Sequence, residues 1–446
     1  MKSIHPLLLL LFGLWFCVRW IFIAQSSDAF QSDPDSYRML AIELGTTGVF
    51  GANSQPTAFR PPLYPWVLSF GVDDDQTLSL VFVRTLHSIL GALTCLAVFY
   101  MTAIAQGVLW NSGLKTTFEK CESTCKRRYL SRFKQIFAPT LASTLVLIDP
   151  ILVRQTQLIM TETLATFLSA ITFWWMMRGM IEPAPAKFLV VGIGIGMSVL
   201  CRPTAVVWGG LFIAAFLVGR FVVKSPSKLS RSGMLLCSLS FALGVFAFIL
   251  PWAARNHSEL NRWIFTTTHG GYTLLLANNN SLYDHFEKTP SRNWDDTTFQ
   301  AEWSSKIAGL HELEQDRLAS SIARETIKRR PFLFMKSCLI RLGWLWAPWP
   351  NQSSWQVSAV IGVWYTLVYI AAFVGGAMSW RKQRAFLGSP ILVPAACLIL
   401  SLSMVQAVYW SNLRMRSVAM PALYMLASIP VSLKIGSSLK SRDCLV

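Results

Sequence analysis

The chain has 446 residues, of which 53% are hydrophobic and only 14% charged, and its mean hydropathy is +0.43. Soluble domains carry about a quarter charged residues, so composition excludes a soluble enzyme and points to a chain that crosses a bilayer. The net charge of +17 would suggest nucleic acid for a soluble protein. In a polytopic membrane protein it marks the loops kept on the cytoplasmic side, and no nucleic-acid partner is expected.

Apolar runs occur at about 5–24, 79–106, 136–148, 163–178, 187–200, 204–222, 233–252, 357–379, 389–410 and 417–434. They predict an all-α polytopic protein, one membrane domain over 1–446 with about ten transmembrane helices. The first run is longer than a usual signal-peptide core, contains Arg19 and is followed by no small-x-small site, so it is expected to remain as an uncleaved span. Of the nine cysteines, Cys17, Cys95, Cys201, Cys237 and Cys397 lie in or beside apolar runs, which is not a disulfide framework. Cys121 and Cys125 share a basic loop, a spacing too weak to argue for a metal.

With the N-terminus inside, Lys115, Lys120, Lys126, Arg127, Arg128, Arg132 and Lys134 fall on the cytoplasmic side. The cluster Arg220, Lys224, Lys228 and Arg231 joins them, as do Arg381, Lys382, Arg384 and the C-terminal Lys434, Lys440 and Arg442. This predicts N-in/C-in topology. Residues 332–349 are apolar enough to cross, but Lys336 and Arg341 interrupt them and a crossing would put the 381–384 cluster outside. An amphipathic helix on the outer face is expected there instead. Two long outer loops follow, 25–78 and 253–356. The segment 265–280 (FTTTHGGYTLLLANNN) is expected to be a Gly-hinged turn able to close over a ligand, or a simple loop.

The first outer loop opens with SDPDSYRMLAIEL, which puts Asp33 and Asp35 next to the membrane surface. Two accounts of these carboxylates stand open. They supply a general base, or an acidic pair able to hold a divalent metal; or Asp33 caps a helix beginning near Ser36. Further along, Arg60-Pro61-Pro62 imposes an extended backbone before a helix and would hold Arg60 and Tyr64 rigidly. Short outer connections then supply Asp149, Arg154 and Glu162, then Arg202, then Arg255 and Asn256, and lastly Arg414 and Arg416. A single arginine at an interface is usually a snorkelling anchor. Several on one face with the aspartates fit a phosphate, because the planar guanidinium binds its oxygens in pairs.

The order of these motifs, SDPDSY, PPLYP, TETL, RP, PWAARN and RMRSVAMP, resembles the GT-C class of membrane glycosyltransferases, nearest to protein O-mannosyltransferases and the aminoarabinose transferases acting on lipid A. The resemblance runs over roughly 5–430 and is weakest in the C-terminal third. It implies a polyprenyl-phosphate-linked sugar donor and a protein, lipid or glycan acceptor. It also implies inverting transfer on the outer face. The compact loops and the lack of an ER-retrieval signal favour the bacterial inner membrane over the endoplasmic reticulum. Asp33 would take the place of the family's catalytic aspartate, Tyr37 of its tyrosine and Glu162 of its second acid. Arg60, Arg202, Arg255, Arg414 and Arg416 would face the donor phosphate, with Tyr64 and Asn256 beside them. The family often has Asp-Glu where this chain has Asp33-Pro34-Asp35, so the base could be either aspartate. A transporter would place ionisable groups near mid-membrane and often show inverted repeats, neither of which is visible here. A lipid-linked polysaccharide polymerase or ligase shares the architecture, and an assembly subunit would use the loops for docking alone.

Overall fold

The computed structural model describes residues 5–111, 125–222, 229–289, 293–350, 354–383 and 385–443. Lys115, Lys120, Cys121, Lys224, Lys228 and Arg384 lie outside these residues. The chain begins with α1 (His5–Ala24), α2 (Tyr37–Thr47), α3 (Leu63–Ser69), α4 (Leu80–Asn111), α5 (Cys125–Leu147) and α6 (Pro150–Gln155). Then come α7 (Glu162–Ile181), α8 (Pro185–Cys201), α9 (Ala205–Val222) and α10 (Arg231–Leu260). The second long loop carries α11 (Gly270–Ala277), α12 (Asn280–Lys288), α13 (Thr297–Ile307), α14 (Glu312–Arg329) and α15 (Pro331–Trp346). The chain finishes with α16 (Trp355–Gln383), α17 (Leu392–Val408), a 3-10 turn (Leu413–Ala419) and α18 (Met420–Asp443). A two-residue ladder, Gly51–Ala52 against Gln55–Pro56, folds the first loop back on itself.

Among the described residues, seven helices are long and apolar enough to cross a membrane, and three shorter apolar helices accompany them. Together they occupy the ten apolar runs of the sequence. Long rows of apolar side chains stay exposed at helical spacing, such as Leu235, Leu239, Leu243, Phe246 and Leu250 on α10 and Val360, Val363, Leu367, Ile370 and Phe373 on α16. Water does not tolerate a belt of that extent, and lipid does. The protein is an all-α integral membrane protein.

Between these helices lipid offers no hydrophobic drive, so close backbone contact has to supply the attraction. The α8–α10 pair shows how: a methyl group on Gly192 would run into the Phe241 carbonyl, and one on Gly244 into that of Leu189. Gly375 of α16 meets the Leu426 carbonyl of α18 in the same way. Helix ends are satisfied locally, by Ser230 Oγ on the Gly233 amide at 3.1 Å and by Asn279 on Leu282 at 2.8 Å.

The second loop has a small core of its own, Leu275, Phe299, Trp303, Ala319 and Ala323. The segment 265–280 corrects the sequence expectation in part. Residues 265–269 and 278–279 are irregular, as a loop would be, but Gly270–Ala277 form α11, and Gly271 serves close packing: a side chain there would strike the Asp316 carbonyl and Ser320. Most of 332–349 does form a helix, α15, which ends at Trp346, with Phe332, Met335 and Leu339 exposed along one face. Arg341 turns inward, whereas Lys336 stays exposed. Lys336 donates to the Phe286 carbonyl at 2.8 Å, and the buried Arg341 to those of Ala277 and Ala407 at 2.5 and 2.8 Å.

Replacing Gly192 by leucine should therefore destabilise the bundle by about 1–3 kcal/mol. Gly210 of α9 has open space around it, and leucine there should leave the thermal unfolding midpoint in detergent nearly unchanged. Equal shifts for the two variants would contradict the packing described.

Candidate active site at the loop end of the bundle

Asp33, Pro34, Asp35 and Ser36 form a turn closed by the Ser36 amide on the Asp33 carbonyl at 3.1 Å, with Pro34 at its second position and Ser36 at φ 60°. The turn sends the two carboxylates in different directions. Asp33 Oδ2 accepts the amides of Arg38 and Met39 at the start of α2, at 3.0 and 3.2 Å, and its Oδ1 is buried with no hydrogen-bond partner. It does the work of a helix cap. Asp35 turns the other way and pairs with Arg60 at 2.9 Å and with Arg414 at 3.8 Å.

Glu162, the first residue of α7, has no exposed side-chain surface. Arg202, just past the end of α8, sits 2.8 Å from it and also donates to Thr161 Oγ1 at 3.0 Å. Burial is the largest single influence and works against the Arg202 charge, but Glu162, Cys201, Tyr37 and Asp35 together outweigh it and raise the guanidinium above its usual value. Arg414 Nε lies 3.4 Å from the same Glu162 oxygen. Neither Glu162 oxygen has hydrogen-bond alignment with its neighbours, and Arg414 Nε is likewise buried without a hydrogen bond. The chain thus gathers Asp35, Arg60, Glu162, Arg202 and Arg414 from four separate connections into one ion-pair cluster. Three guanidiniums face two carboxylates within ion-pair distance, which leaves one guanidinium in excess inside the cluster.

Aromatic residues fix this cluster in place. The Arg60 guanidinium lies 5.9 Å over the Tyr37 ring, and Tyr37 packs edge-on against Tyr64 at 5.5 Å. Burial keeps the Tyr37 phenol protonated well above its ordinary range. Tyr64 is spent on structure. His87 Nδ1 must donate to the Thr156 carbonyl at 2.9 Å, so its Nε2 accepts the Tyr64 hydroxyl, also at 2.9 Å.

The structure does not bring the other expected residues into the cluster. Arg255 donates to the carbonyls of Thr57 and Phe50 at 2.8 and 2.7 Å, and Asn256 to that of Ile264 at 2.8 Å, so both hold loops together. Arg416 is buried, bonds the Leu345 and Ala347 carbonyls and stacks 4.2 Å from the Tyr365 ring centre. Tyr365 and Tyr424 in turn donate to Asp149, which caps α6. Arg154 makes an exposed pair with Asp28. Among the described residues, no three His, Cys, Asp or Glu are grouped to hold a metal ion.

Two groups at the cluster carried no clear sequence signal. His269, at the start of α11, contacts Arg60 Nη1 through Nε2 at 3.2 Å. Arginine can only donate, so Nε2 accepts and the proton sits on Nδ1, which is buried without a hydrogen-bond partner. Glu312 of α14 ties the two loops together by accepting Thr57 Oγ1, Thr268 Oγ1 and, at 3.1 Å, the Ala58 amide. The spacing of Glu312 and Asp316 on one helix face was the signal available.

Burial, and then the Arg60 charge, push the His269 imidazole down to about 3. Between pH 6.5 and about 3 the unfolded chain binds a proton there that the folded chain refuses. Stability contributed above that window is accordingly lost as pH falls through it. Thermal unfolding at pH 7 and pH 4.5 should show a smaller acid-induced drop for His269→Gln than for wild type, and equal drops would contradict the assignment.

No protein-family model matches the chain, and no curated protein does. Solved structures do. An oligosaccharyltransferase from Archaeoglobus fulgidus, solved with zinc and sulfate, aligns over 95% of this chain and 49% of its own, with TM-score 0.50 and 14% identity. ArnT from Cupriavidus metallidurans bound to undecaprenyl phosphate aligns over 95% of this chain and 78% of its own, with TM-score 0.39 and 12% identity. The chain spans about half the length of the oligosaccharyltransferase it matches. The likeness to that oligosaccharyltransferase shows a shared fold.

Proposed function

We propose that this protein moves a sugar from a polyprenyl-phosphate donor to an acceptor hydroxyl or amine on the outer face of its membrane, with inversion at the anomeric carbon. The observation that carries the proposal is the state of Arg414. It is shared between Asp35 and Glu162 at 3.8 and 3.4 Å, whereas Arg60 and Arg202 are held at 2.9 and 2.8 Å. Arg414 is the guanidinium free to turn toward an incoming phosphate, and the guanidinium in excess inside the cluster favours an anion. The exposed apolar belt of the bundle supports a donor whose tail remains in lipid.

The acceptor heteroatom attacks the anomeric carbon while the bond from that carbon to the phosphate oxygen breaks. The electron pair leaves with the phosphate, which gains one negative charge beside Arg414 and Arg202. Phosphate is already a weak base and needs no acid, so a single carboxylate suffices, unlike the pair in a glycosidase. We assign the base to Asp35, since Asp33 spends one oxygen on two amides and buries the other, whereas Asp35 is 21% exposed beside the guanidiniums. Phosphate binding at Arg414 would leave Asp35 held by Arg60 alone, positioned to take the acceptor proton. Glu162 orients Arg202 and Arg414.

Transfer of radiolabelled sugar from polyprenyl-phosphate donors should fall about 10²–10⁴-fold in Asp35→Asn and about 10²–10³-fold in Arg414→Ala. Asp33→Asn should act mainly on stability, by about 0.5–2 kcal/mol. Full activity in Asp35→Asn, with activity abolished in a folded Asp33→Asn, would move the base to Asp33. Absence of transfer from every donor by folded wild type would sink the transferase.

A further inference from the structure

A cavity of about 260 Å³ opens on the far side of Arg60, between the loop before α3 and the second loop's helices α11, α13 and α14. Its volume lies below the roughly 300–1,000 Å³ of sites for drug-sized ligands, so it suits a single ring better than an extended chain. One wall is a run of aromatic rings. Phe59 and His269 meet at 4.4 Å, His269 and Tyr272 at 5.4 Å, and Tyr272 and Trp303 at 6.0 Å between ring centres.

The opposite side is polar and mostly hydrogen-bond accepting. Asp316 accepts the Gly271 amide at 2.7 Å through Oδ1, and Gln315 donates to the Leu310 carbonyl at 2.8 Å, which leaves its own carbonyl oxygen. Glu312, pinned by three donors, adds a fixed negative charge. One buried donor, His269 Nδ1–H, lacks a partner. The lining cation is Arg60, already engaged by Asp35 and His269.

A phosphate would meet two carboxylates here and no free cation. A flat apolar face with a rim of hydroxyl donors and one acceptor oxygen matches the aromatic wall, the acceptors of Gln315 and Asp316 and the His269 donor. That is the chemistry of a neutral pyranose ring. We propose that this cavity is a saccharide subsite, with the ring stacked on Tyr272 and Trp303, its hydroxyls donating to Asp316 and Gln315, and a sugar oxygen accepting from His269.

Arg60 forms part of the cavity wall and also pairs with Asp35, so a sugar seated here lies one side chain from the proposed base. The role of the subsite in transfer rests on the transferase proposal, whereas its binding of sugar does not. Two sources share the chemistry, the donor's own sugar and a glycan acceptor.

The test uses the whole protein in lipid nanodiscs without glycoside detergent. Saturation-transfer NMR reads binding of methyl α-mannopyranoside, methyl β-glucopyranoside and methyl β-N-acetylglucosaminide, with glucose 6-phosphate as the charged control. At least one neutral glycoside should bind and the phosphate should not. Ile307→Trp, which fills the cavity, and Gln315→Ala should each weaken binding, the former by about tenfold or more, with unfolding midpoints confirming intact protein. Displacement of the glycoside by polyprenyl-phosphate-sugar would assign the donor's ring, and simultaneous binding the acceptor's. Binding that persists without any transfer activity would keep the subsite and discard the transferase. No saturation of any glycoside, equal binding in Ile307→Trp, or stronger binding of the phosphate would overturn the subsite.

Discussion

Glu162 sits at the first turn of a membrane helix with no side-chain surface exposed, and a carboxylate there is tolerable only beside a cation. Arg202 answers it from the end of α8, and Arg414 from the stretch between α17 and α18. Arg414 in turn reaches Asp35 behind α1, and Asp35 holds Arg60 ahead of α3. Removing either acid would strand a buried or half-buried guanidinium, a penalty of about 3–5 kcal/mol for fully buried pairs. The need to pair charges at the end of an apolar bundle thus draws distant connections to one point. The surplus arginine is what the proposal of an anion site rests on.

Around the cluster, the arginines outside it show what the same residue does when it is structural. Arg255, Arg341 and Arg416 all point their donors at backbone carbonyls. They satisfy the carbonyls that helix ends and irregular turns leave open, which lipid cannot do. Arg60, Arg202 and Arg414 face carboxylates instead, and a carboxylate can be exchanged for a phosphate. A carboxylate partner alone does not mark a site, since Arg154 and Arg330 pair with acids at the surface; the cluster differs in gathering three guanidiniums around a buried acid.

Much of the fold was legible because bilayer thickness imposes a length on apolar runs, and the ten runs became helices with modest shifts at their ends. The capping role of Asp33 was one of two readings open from SDPDSY, and the turn around Pro34 gives it geometry. The separation of Arg255, Asn256 and Arg416 from the cluster was not legible. An arginine beside an apolar run looks the same in sequence whether it meets a carbonyl or a carboxylate. Nor was the cavity, since Phe59, His269, Trp303 and Asp316 are scattered over more than two hundred residues and meet only when α13 and α14 fold against α11. The Gly270-Gly271 pair misled for a related reason: a glycine needed for close packing and one needed for bending are the same letter.

The central claim is that the guanidinium in excess receives the donor phosphate, and the most direct measurement compares lipids that differ only in that group. Binding of undecaprenyl phosphate and of undecaprenol to the purified protein can be read by native mass spectrometry, for wild type and Arg414→Gln. The account predicts that wild type retains the phosphate and much less of the alcohol, and that Arg414→Gln loses the distinction. Equal retention of phosphate and alcohol by wild type, or an undiminished preference for phosphate in Arg414→Gln, would contradict it.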